Sequence, residues 1–159
     1  MKYCPYYCEE NIWYLCQDVS ISSNTKKVVF ISNKNRCVAI RHQRAGSLVR
    51  WDYHVVLFFK DDSWKVADLD SLLPFPCPAE AYLSESFVAG EAPVFSVVSA
   101  ERYVRDFTCD RRHMLGRDGT YLQSPPPWNT IGTGFNLWDF VDGKYGRVYD
   151  VNEMYTAFT

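Results

Sequence analysis

The chain has 159 residues, of which 47% are hydrophobic and 23% charged, and its formal net charge is −2 at pH 7. This length suits a single domain spanning residues 1–159, and the hydrophobic content excludes general disorder. The near-neutral charge offers no basic face to a nucleic acid, and no apolar run reaches the ~20 residues of a membrane-spanning helix, so we expect neither partner.

The start of the chain bears on the cellular compartment. Residues 1–10 contain no apolar signal segment and become acidic at Glu9 and Glu10. This pattern indicates a cytosolic protein, which could also enter the nucleus. In that compartment the six cysteines should be reduced. A disulfide framework is the weaker alternative.

Apolar residues at helical spacing predict a first helix over residues 9–19. Its buried stripe would consist of Ile12, Leu15, Cys16 and Val19.

Four β-rich stretches follow this helix. The short run at 27–31 predicts a strand, and residues 36–41 would pair with it across a turn at 32–35. The apolar run at 51–59 is the strongest predicted strand, and residues 63–69 would return beside it as a hairpin.

The second half of the chain places short elements around one long irregular stretch, residues 111–129, which is typical of a lid, a binding wall or disorder. Ser99 is the predicted N-cap of a helix that begins at Ala100. Consecutive strands, with helices gathered towards both ends of the chain, indicate an α+β domain around a mainly antiparallel sheet. The elements predicted here are helices at 79–86, 100–107 and 136–141, strands at 94–98 and 147–150, and a helix in the tail.

The hairpin predicts a contact between two reactive side chains. A loop of three or five residues can place His54 opposite Asp68, on one face of the sheet and within reach of an imidazole–carboxylate hydrogen bond. Asp70 would then face Asp52, and two like charges favour exposure to solvent. A two-residue loop would put Leu69 opposite His54 and would need a bulge to restore the pair.

Cys8 supplies a candidate nucleophile at or just inside a helix start, where free backbone N–H groups and the helix dipole favour a thiolate. Glu9 and Glu10 oppose ionisation unless they point away. A thiol, an imidazole and a carboxylate are the components of thiolate catalysis, in which the third group orients the base. Cys8, His54 and Asp68 are therefore the predicted catalytic residues.

Other interpretations of these side chains remain open. A single cysteine in a helix is commonly an inert small hydrophobe, and a single histidine in an apolar strand is commonly a hydrogen-bonded core residue. Zinc is the principal rival, because two pairs with a spacing of four could form a tetrahedral site. The four candidate zinc ligands are Cys4, Cys8, Cys109 and His113.

The strings around these residues are similar to one known family. Tyr-Cys-Glu-Glu-Asn-Ile-Trp at 7–13 and Trp-Asp-Tyr-His-Val-Val-Leu at 51–57 are long enough to be specific. The chain resembles the protein N-terminal glutamine amidohydrolase family, which converts an N-terminal Gln to Glu. The match runs from Tyr7 to near the C-terminus, with further matching segments at 28–33, 68–70, 73–77, 110–111, 113–114 and 125–127.

The resemblance implies a papain- or transglutaminase-like sandwich that acts as a monomer with no metal or organic cofactor. It places the family's catalytic cysteine, histidine and aspartate at Cys8, His54 and Asp68. Substrates would be proteins or peptides with a free N-terminal Gln, and the product would enter the N-degron pathway.

Two other functional classes use some of the same residues. A cysteine peptidase or a transglutaminase-like acyl transferase would share the triad, and a noncatalytic zinc-bound interaction module would not need it. Aromatic residues make up 16% of the chain, and Trp51, Tyr7 and Trp128 are candidate walls of a cleft. His113 could be structural or lie over that cleft.

Overall fold

The structure is a computed structural model that describes residues 1–159. It contains eight β-strands and five α-helices, with a single 3-10 turn at Arg112–Met114. The strands are β1 (Thr25–Ser32), β2 (Val38–Gln43), β3 (Gly46–Trp51), β4 (His54–Lys60), β5 (Trp64–Ala67), β6 (Cys77–Pro78), β7 (Val94–Ser99) and β8 (Arg147–Tyr149). The helices are α1 (Cys8–Leu15), α2 (Ala79–Ser86), α3 (Ala100–Asp106), α4 (Leu137–Val141) and α5 (Val151–Phe158).

A six-stranded sheet in the order β6-β5-β4-β1-β7-β8 forms the centre of the fold, and every strand pair in it is antiparallel. Strands β2 and β3 form a separate hairpin. The predicted α+β class with a mainly antiparallel sheet is confirmed. None of the helices has both the length and the apolar character needed to cross a lipid bilayer.

The central strands are buried on both faces, which explains why they appear as continuous apolar runs in the sequence. In β1, Val28 and Phe30 point into one core with residues of α1, α3 and α4. Val29 and Ile31 point into a second core with α2, α5 and the β2–β3 hairpin. The period-2 alternation thus divides one strand between two hydrophobic layers.

Two predictions about the first half were wrong. The first helix ends at Leu15, and Val19 is 93% exposed, so the apolar periodicity continues beyond the helix without a core to bury it. Residues 38–43 pair with β3, because both edges of β1 are already taken by β4 and β7.

The predicted strand at 51–59 is two strands. Trp51 closes β3, and β4 begins at His54. Between them Oδ1 of Asp52 accepts a hydrogen bond from the Tyr53 N–H at 2.9 Å, a local turn that interrupts the ladder. His54 therefore lies at the end of its strand, where side chains can face a cavity.

Candidate active site

Cys8 is the first residue of α1, and the loop before it is held by a side chain from inside the helix. The amide of Asn11 accepts a hydrogen bond from the Cys4 N–H at 2.8 Å and donates one to the Cys4 carbonyl at 2.9 Å. Tyr6 adopts a φ of 69°, so the chain turns sharply just before the helix. The predicted position of Cys8 at a helix start is confirmed.

His54 and Asp68 form a buried pair. Nε2 of His54 lies 2.9 Å from Oδ1 of Asp68, and both side chains are 2% exposed. Trp51 stacks on the imidazole with ring centroids 5.8 Å apart and an interplanar angle of 13°. Nδ1 of His54 makes no hydrogen bond within the protein and remains available to a ligand.

Asp68 accepts further hydrogen bonds that hold its orientation. The hydroxyl of Tyr82 donates to Oδ2 at 2.8 Å, the Asp70 N–H donates to Oδ1 at 2.9 Å, and the Gln43 amide lies 3.4 Å from Oδ2. Burial alone would raise the pKa of Asp68, but the charge of His54 and these donors hold it below its usual value. Burial alone would lower the pKa of His54. The charge and hydrogen bond of Asp68 outweigh this effect of burial, so the pKa of His54 is raised.

The predicted hairpin register was wrong by two residues. Phe58 pairs with Val66 rather than with Trp64, and Leu57 pairs with Ala67. A straight continuation would put Asp70 opposite His54. Strand β5 ends at Ala67, however, and the turn that follows brings Asp68 to the imidazole. Asp68 thus meets His54 through a turn and not through a ladder pair.

The surroundings of Cys8 disfavour a thiolate in the absence of a ligand. Burial raises the pKa of the Cys8 thiol well above its usual value, and the carboxylates of Glu9 and Asp70 add to the shift. Sγ of Cys8 donates to Oε2 of Glu9 at 3.7 Å. The backbone N–H of Val55 acts in the opposite direction by hydrogen bonding to the sulfur.

Cys8 and His54 line the same cavity, which has a volume of about 120 Å³. A site of this size is small beside the ~300–1,000 Å³ of pockets that take drug-sized ligands, and it suits a single amino-acid side chain. The cavity is lined by Tyr6, Cys8, Trp51, Asp52, Tyr53, His54, Asp70 and Met114.

Of the three predicted aromatic walls, only Trp51 lines the cavity. Tyr7 is fully buried and donates its hydroxyl hydrogen to the Gln123 carbonyl at 2.9 Å. Trp128 donates its indole N–H to Glu10 at 3.0 Å. The long stretch at 111–129 therefore contacts the start of α1 through Gln123 and Trp128 and contributes Met114 to the cavity wall.

Two buried polar networks behind Cys8 were not predicted. Glu9 accepts from the Tyr53 hydroxyl at 2.8 Å, and its other oxygen lies 3.3 Å from Nε2 of His113. Glu10 forms a two-pronged ion pair with Arg111, at 2.8 Å for each contact. Consecutive acidic residues in an apolar helix were the available signal, but their partners, His113 and Arg111, lie about a hundred residues away.

The rival four-residue zinc site does not form. Cys4 donates to the Ser124 carbonyl at 3.7 Å, and Cys8 faces Glu9. The two groups whose side chains could together hold a metal ion are Glu9, Cys109 and His113, and His54, Asp68 and Asp70; neither includes Cys4 or Cys8. All six cysteines are free thiols.

A thiol at a helix start that lines one small cavity with a carboxylate-bound histidine, in an α+β sandwich, is typical of a thiol hydrolase. A family model described as N-terminal glutamine amidase matches residues 3–158.

Three eukaryotic relatives carry the name protein N-terminal glutamine amidohydrolase. The Homo sapiens protein is 35% identical over 178 residues, which cover 98% of this chain and 87% of that protein. The Bos taurus protein is 35% identical over 175 residues, covering 96% and 84%. The Arabidopsis thaliana protein is 37% identical over 164 residues, covering 88% and 74%. The chain belongs to the N-terminal glutamine amidase family, which confirms the resemblance found in the sequence.

Proposed function

We propose that this protein hydrolyses the side-chain amide of an N-terminal glutamine, giving an N-terminal glutamate and ammonia. The observation that carries the proposal is the shared cavity: in a chain of this family, Cys8 and His54 line one small volume, and Asp68 holds His54 from behind. Cys8, His54 and Asp68 are the proposed catalytic residues of one catalytic domain spanning residues 1–159.

The reaction begins with attack of Cys8 Sγ on the side-chain carboxamide carbon. Because the resting thiol is protonated, its proton passes to Nδ1 of His54 during the attack, while Asp68 holds Nε2 and stabilises the imidazolium. The backbone N–H groups of Cys8 and Glu9 have no acceptor inside α1 and support the developing oxyanion.

Collapse of the tetrahedral intermediate breaks the C–N bond. His54 returns its proton to the leaving nitrogen, and ammonia departs from a γ-glutamyl thioester on Cys8. His54 then takes a proton from water, whose oxygen attacks the thioester, and the proton returns to the sulfur as Glu leaves. Two acyl-transfer steps thus replace one difficult amide hydrolysis.

The remaining proposals concern cellular context. The net charge of −2 supports a protein that binds neither nucleic acid nor membrane, with proteins or peptides carrying a free N-terminal Gln as its partners. We place a monomer of this enzyme in the cytosol and nucleus, where its product would feed the N-degron pathway.

The test is ammonia release and mass spectrometry of short peptides that begin with Gln, Asn or acetylated Gln. We expect a gain of about one mass unit, together with ammonia, for the free-Gln peptide alone. Cys8→Ser should abolish both signals, and Asp68→Asn should reduce the rate by about 10²–10⁴-fold. Cys37→Ser, which changes an exposed thiol, is the matched control and should keep the parental rate.

The alternatives give different products in the same samples. A cysteine peptidase would release cut chains, and an acyl transferase would join the Gln side chain to a lysine amine. A noncatalytic zinc module would bind metal stoichiometrically and leave every peptide unchanged. Ammonia release by Cys8→Ser at the parental rate would end the proposed mechanism.

A further inference from the structure

We propose that Asp70 binds the free α-ammonium group of the substrate and so restricts the reaction to unblocked N-terminal glutamine. The inference rests on the proposed function, and it concerns an aspartate that the sequence pattern had placed on the surface. Asp70 is 8% exposed and lines the cavity that contains Cys8 and His54.

The carboxylate of Asp70 is only half satisfied inside the protein. Oδ1 accepts the hydroxyl hydrogen of Tyr3 at 2.7 Å, whereas Oδ2 accepts no hydrogen bond. No Lys or Arg forms an ion pair with Asp70, since Nε of the nearby Arg44 donates to the Leu69 carbonyl at 2.8 Å. Burial raises the pKa of Asp70, and the charges of His54 and Arg44 oppose this shift without cancelling it. A buried carboxylate of this kind favours a cationic ligand.

The position of Asp70 fits the length of a glutamine. One of its oxygens lies within 4.8 Å of a His54 nitrogen, next to the reacting centre. In an extended glutamine about 5 Å separate the α-nitrogen from the side-chain carbonyl carbon, by standard bond lengths. With the ammonium held at Asp70, the carboxamide extends into the cavity that Cys8 also lines. Asparagine falls short by about 1.3 Å, a misplacement that costs about 10²-fold in rate.

Asp70 also lines a second cavity, of about 290 Å³, that provides an exit for the rest of the peptide. The two cavities share Tyr6, Trp51 and Asp70. An α-nitrogen at Asp70 therefore lies at the junction, with the side chain directed towards Cys8 and the following residues towards Arg44 and Tyr3.

A cation at Asp70 has a second consequence for Cys8. Asp70 is one of the carboxylates that raise the pKa of the Cys8 thiol, after burial itself and Glu9. An ammonium group that neutralises Asp70 removes part of this opposition to ionisation. Substrates without the amine should thus lose turnover as well as affinity.

The test compares two peptides: one starting with Gln, and the same peptide with the α-amine replaced by hydrogen. Ammonia release gives kcat and KM for the parental enzyme and for Asp70→Asn. We expect kcat/KM on the amine peptide to fall on the order of 10²-fold in Asp70→Asn, because a desolvated charge pair is lost. On the desamino peptide, kcat/KM of Asp70→Asn should differ from the parental value by less than about 3-fold. The ratio of kcat/KM between the amine and desamino peptides should therefore be smaller in Asp70→Asn than in the parental enzyme.

The controls remove a carboxylate elsewhere. Asp62→Asn alters a hairpin-turn side chain that is 85% exposed and should keep the full preference. Asp52 lines the first cavity only, and its Oδ1 is occupied by the Tyr53 N–H. Loss of the preference in Asp52→Asn but not in Asp70→Asn would overturn the assignment.

A binding measurement covers the case in which Asp70→Asn does not fold. Calorimetry on Cys8→Ser should show at least about 10-fold tighter binding of the amine peptide than of the desamino peptide. Equal affinities would refute the role of Asp70 even if the parental enzyme releases ammonia. Absence of ammonia from the parental enzyme would instead contradict the proposed function, and the binding result would still stand by itself.

Discussion

Individual neighbouring groups raise or lower the pKa of the Cys8 thiol. Glu9 follows it in the helix, is fully buried, and accepts the weak S–H hydrogen bond. The backbone N–H of Val55 acts the other way and favours the thiolate. The balance favours a neutral thiol, which protects the nucleophile from adventitious oxidation and alkylation until a substrate binds.

Replacing Glu9 by Gln should make Cys8 more reactive at lower pH. Burial and the Glu9 charge both raise the pKa of the thiol, and the substitution removes only the charge. We therefore expect the pH profile of Cys8 alkylation by iodoacetamide to shift downwards in Glu9→Gln. Peptide mapping by mass spectrometry measures the rate at this cysteine separately from the other five.

Cys37 is the internal reference in these samples, because it is exposed and lies outside both cavities. Its alkylation profile should be the same in both proteins. If the Cys8 profile is unchanged while Cys37 behaves as expected, Glu9 does not control the thiol.

For single residues, the sequence correctly predicted which carboxylate contacts His54 but wrongly predicted that Asp70 is exposed to solvent. The hairpin pattern predicts Asp68 as the partner of His54, and the two side chains are in contact; the catalytic role of both stays a prediction. Asp70 was expected in solvent opposite Asp52, yet it is buried beside His54. The turn after β5, which depends on contacts with other elements, decides between these positions.

A buried ion pair between Arg111 and Glu10 holds the long stretch at 111–129 against helix α1. The side chains of Arg111 and Glu10 are 7% and 0% exposed, and the Trp128 carbonyl accepts a third hydrogen bond from Arg111 at 2.9 Å. Arg111 adopts a φ of 66°, an uncommon conformation for a residue with a side chain. The pair orders a segment with little regular structure against the helix that carries Cys8.

Arg111→Ala should lower the free energy of unfolding by about 3–5 kcal/mol, because Glu10 would remain buried without its partner. Arg112→Ala is the matched control, since its ion pair with Asp110 is 61% and 40% exposed. That change should cost less than about 1 kcal/mol. Urea unfolding measures the free energy of unfolding of both variants. Similar decreases in the two variants would show that the Arg111–Glu10 pair does not stabilise the fold more than an exposed ion pair does.

Local patterns identified most elements, because a helix or strand needs only its own residues to produce its periodicity. The helix beginning at Ala100 is one such case, with Ser99 accepting from the Arg102 N–H as its predicted cap. Pairing is different. The partner of residues 38–43 depends on which edges of β1 are free, and β7, more than fifty residues later, occupies one of them.

The whole fold encloses the His54–Asp68 pair, so its protonation contributes to the stability of the entire molecule. The folded-state pKa of His54 is raised above 6.5, so its contribution is complete below pH 6.5 and is lost as the pH rises through that folded-state value. The folded-state pKa of Asp68 is lowered below 3.8, so its contribution is present above pH 3.8 and is lost as the pH falls through the folded-state value.

The stability difference between the parental protein and Asp68→Asn should therefore be largest between about pH 3.8 and 6.5 and smaller on either side. Urea unfolding at several pH values across this range tests the profile. Asp142→Asn is a surface control, because its pair with Arg36 is about half exposed and should contribute less than about 1 kcal/mol throughout. If the difference in free energy of unfolding between the parental protein and Asp68→Asn did not change with pH, the pair would have the same pKa values in the folded and unfolded chains.

The sequence by itself determined the α+β class, most helices and strands, the family, and the residues proposed for catalysis. These follow from local periodicity and from short strings whose meaning does not depend on distant contacts. The tertiary structure decided the hairpin register, the burial of Asp70 and the networks of Glu9 and Glu10. Each of these depends on side chains from separate elements meeting in a low-dielectric interior, where the free energy of a charge is set by partners far away in the chain.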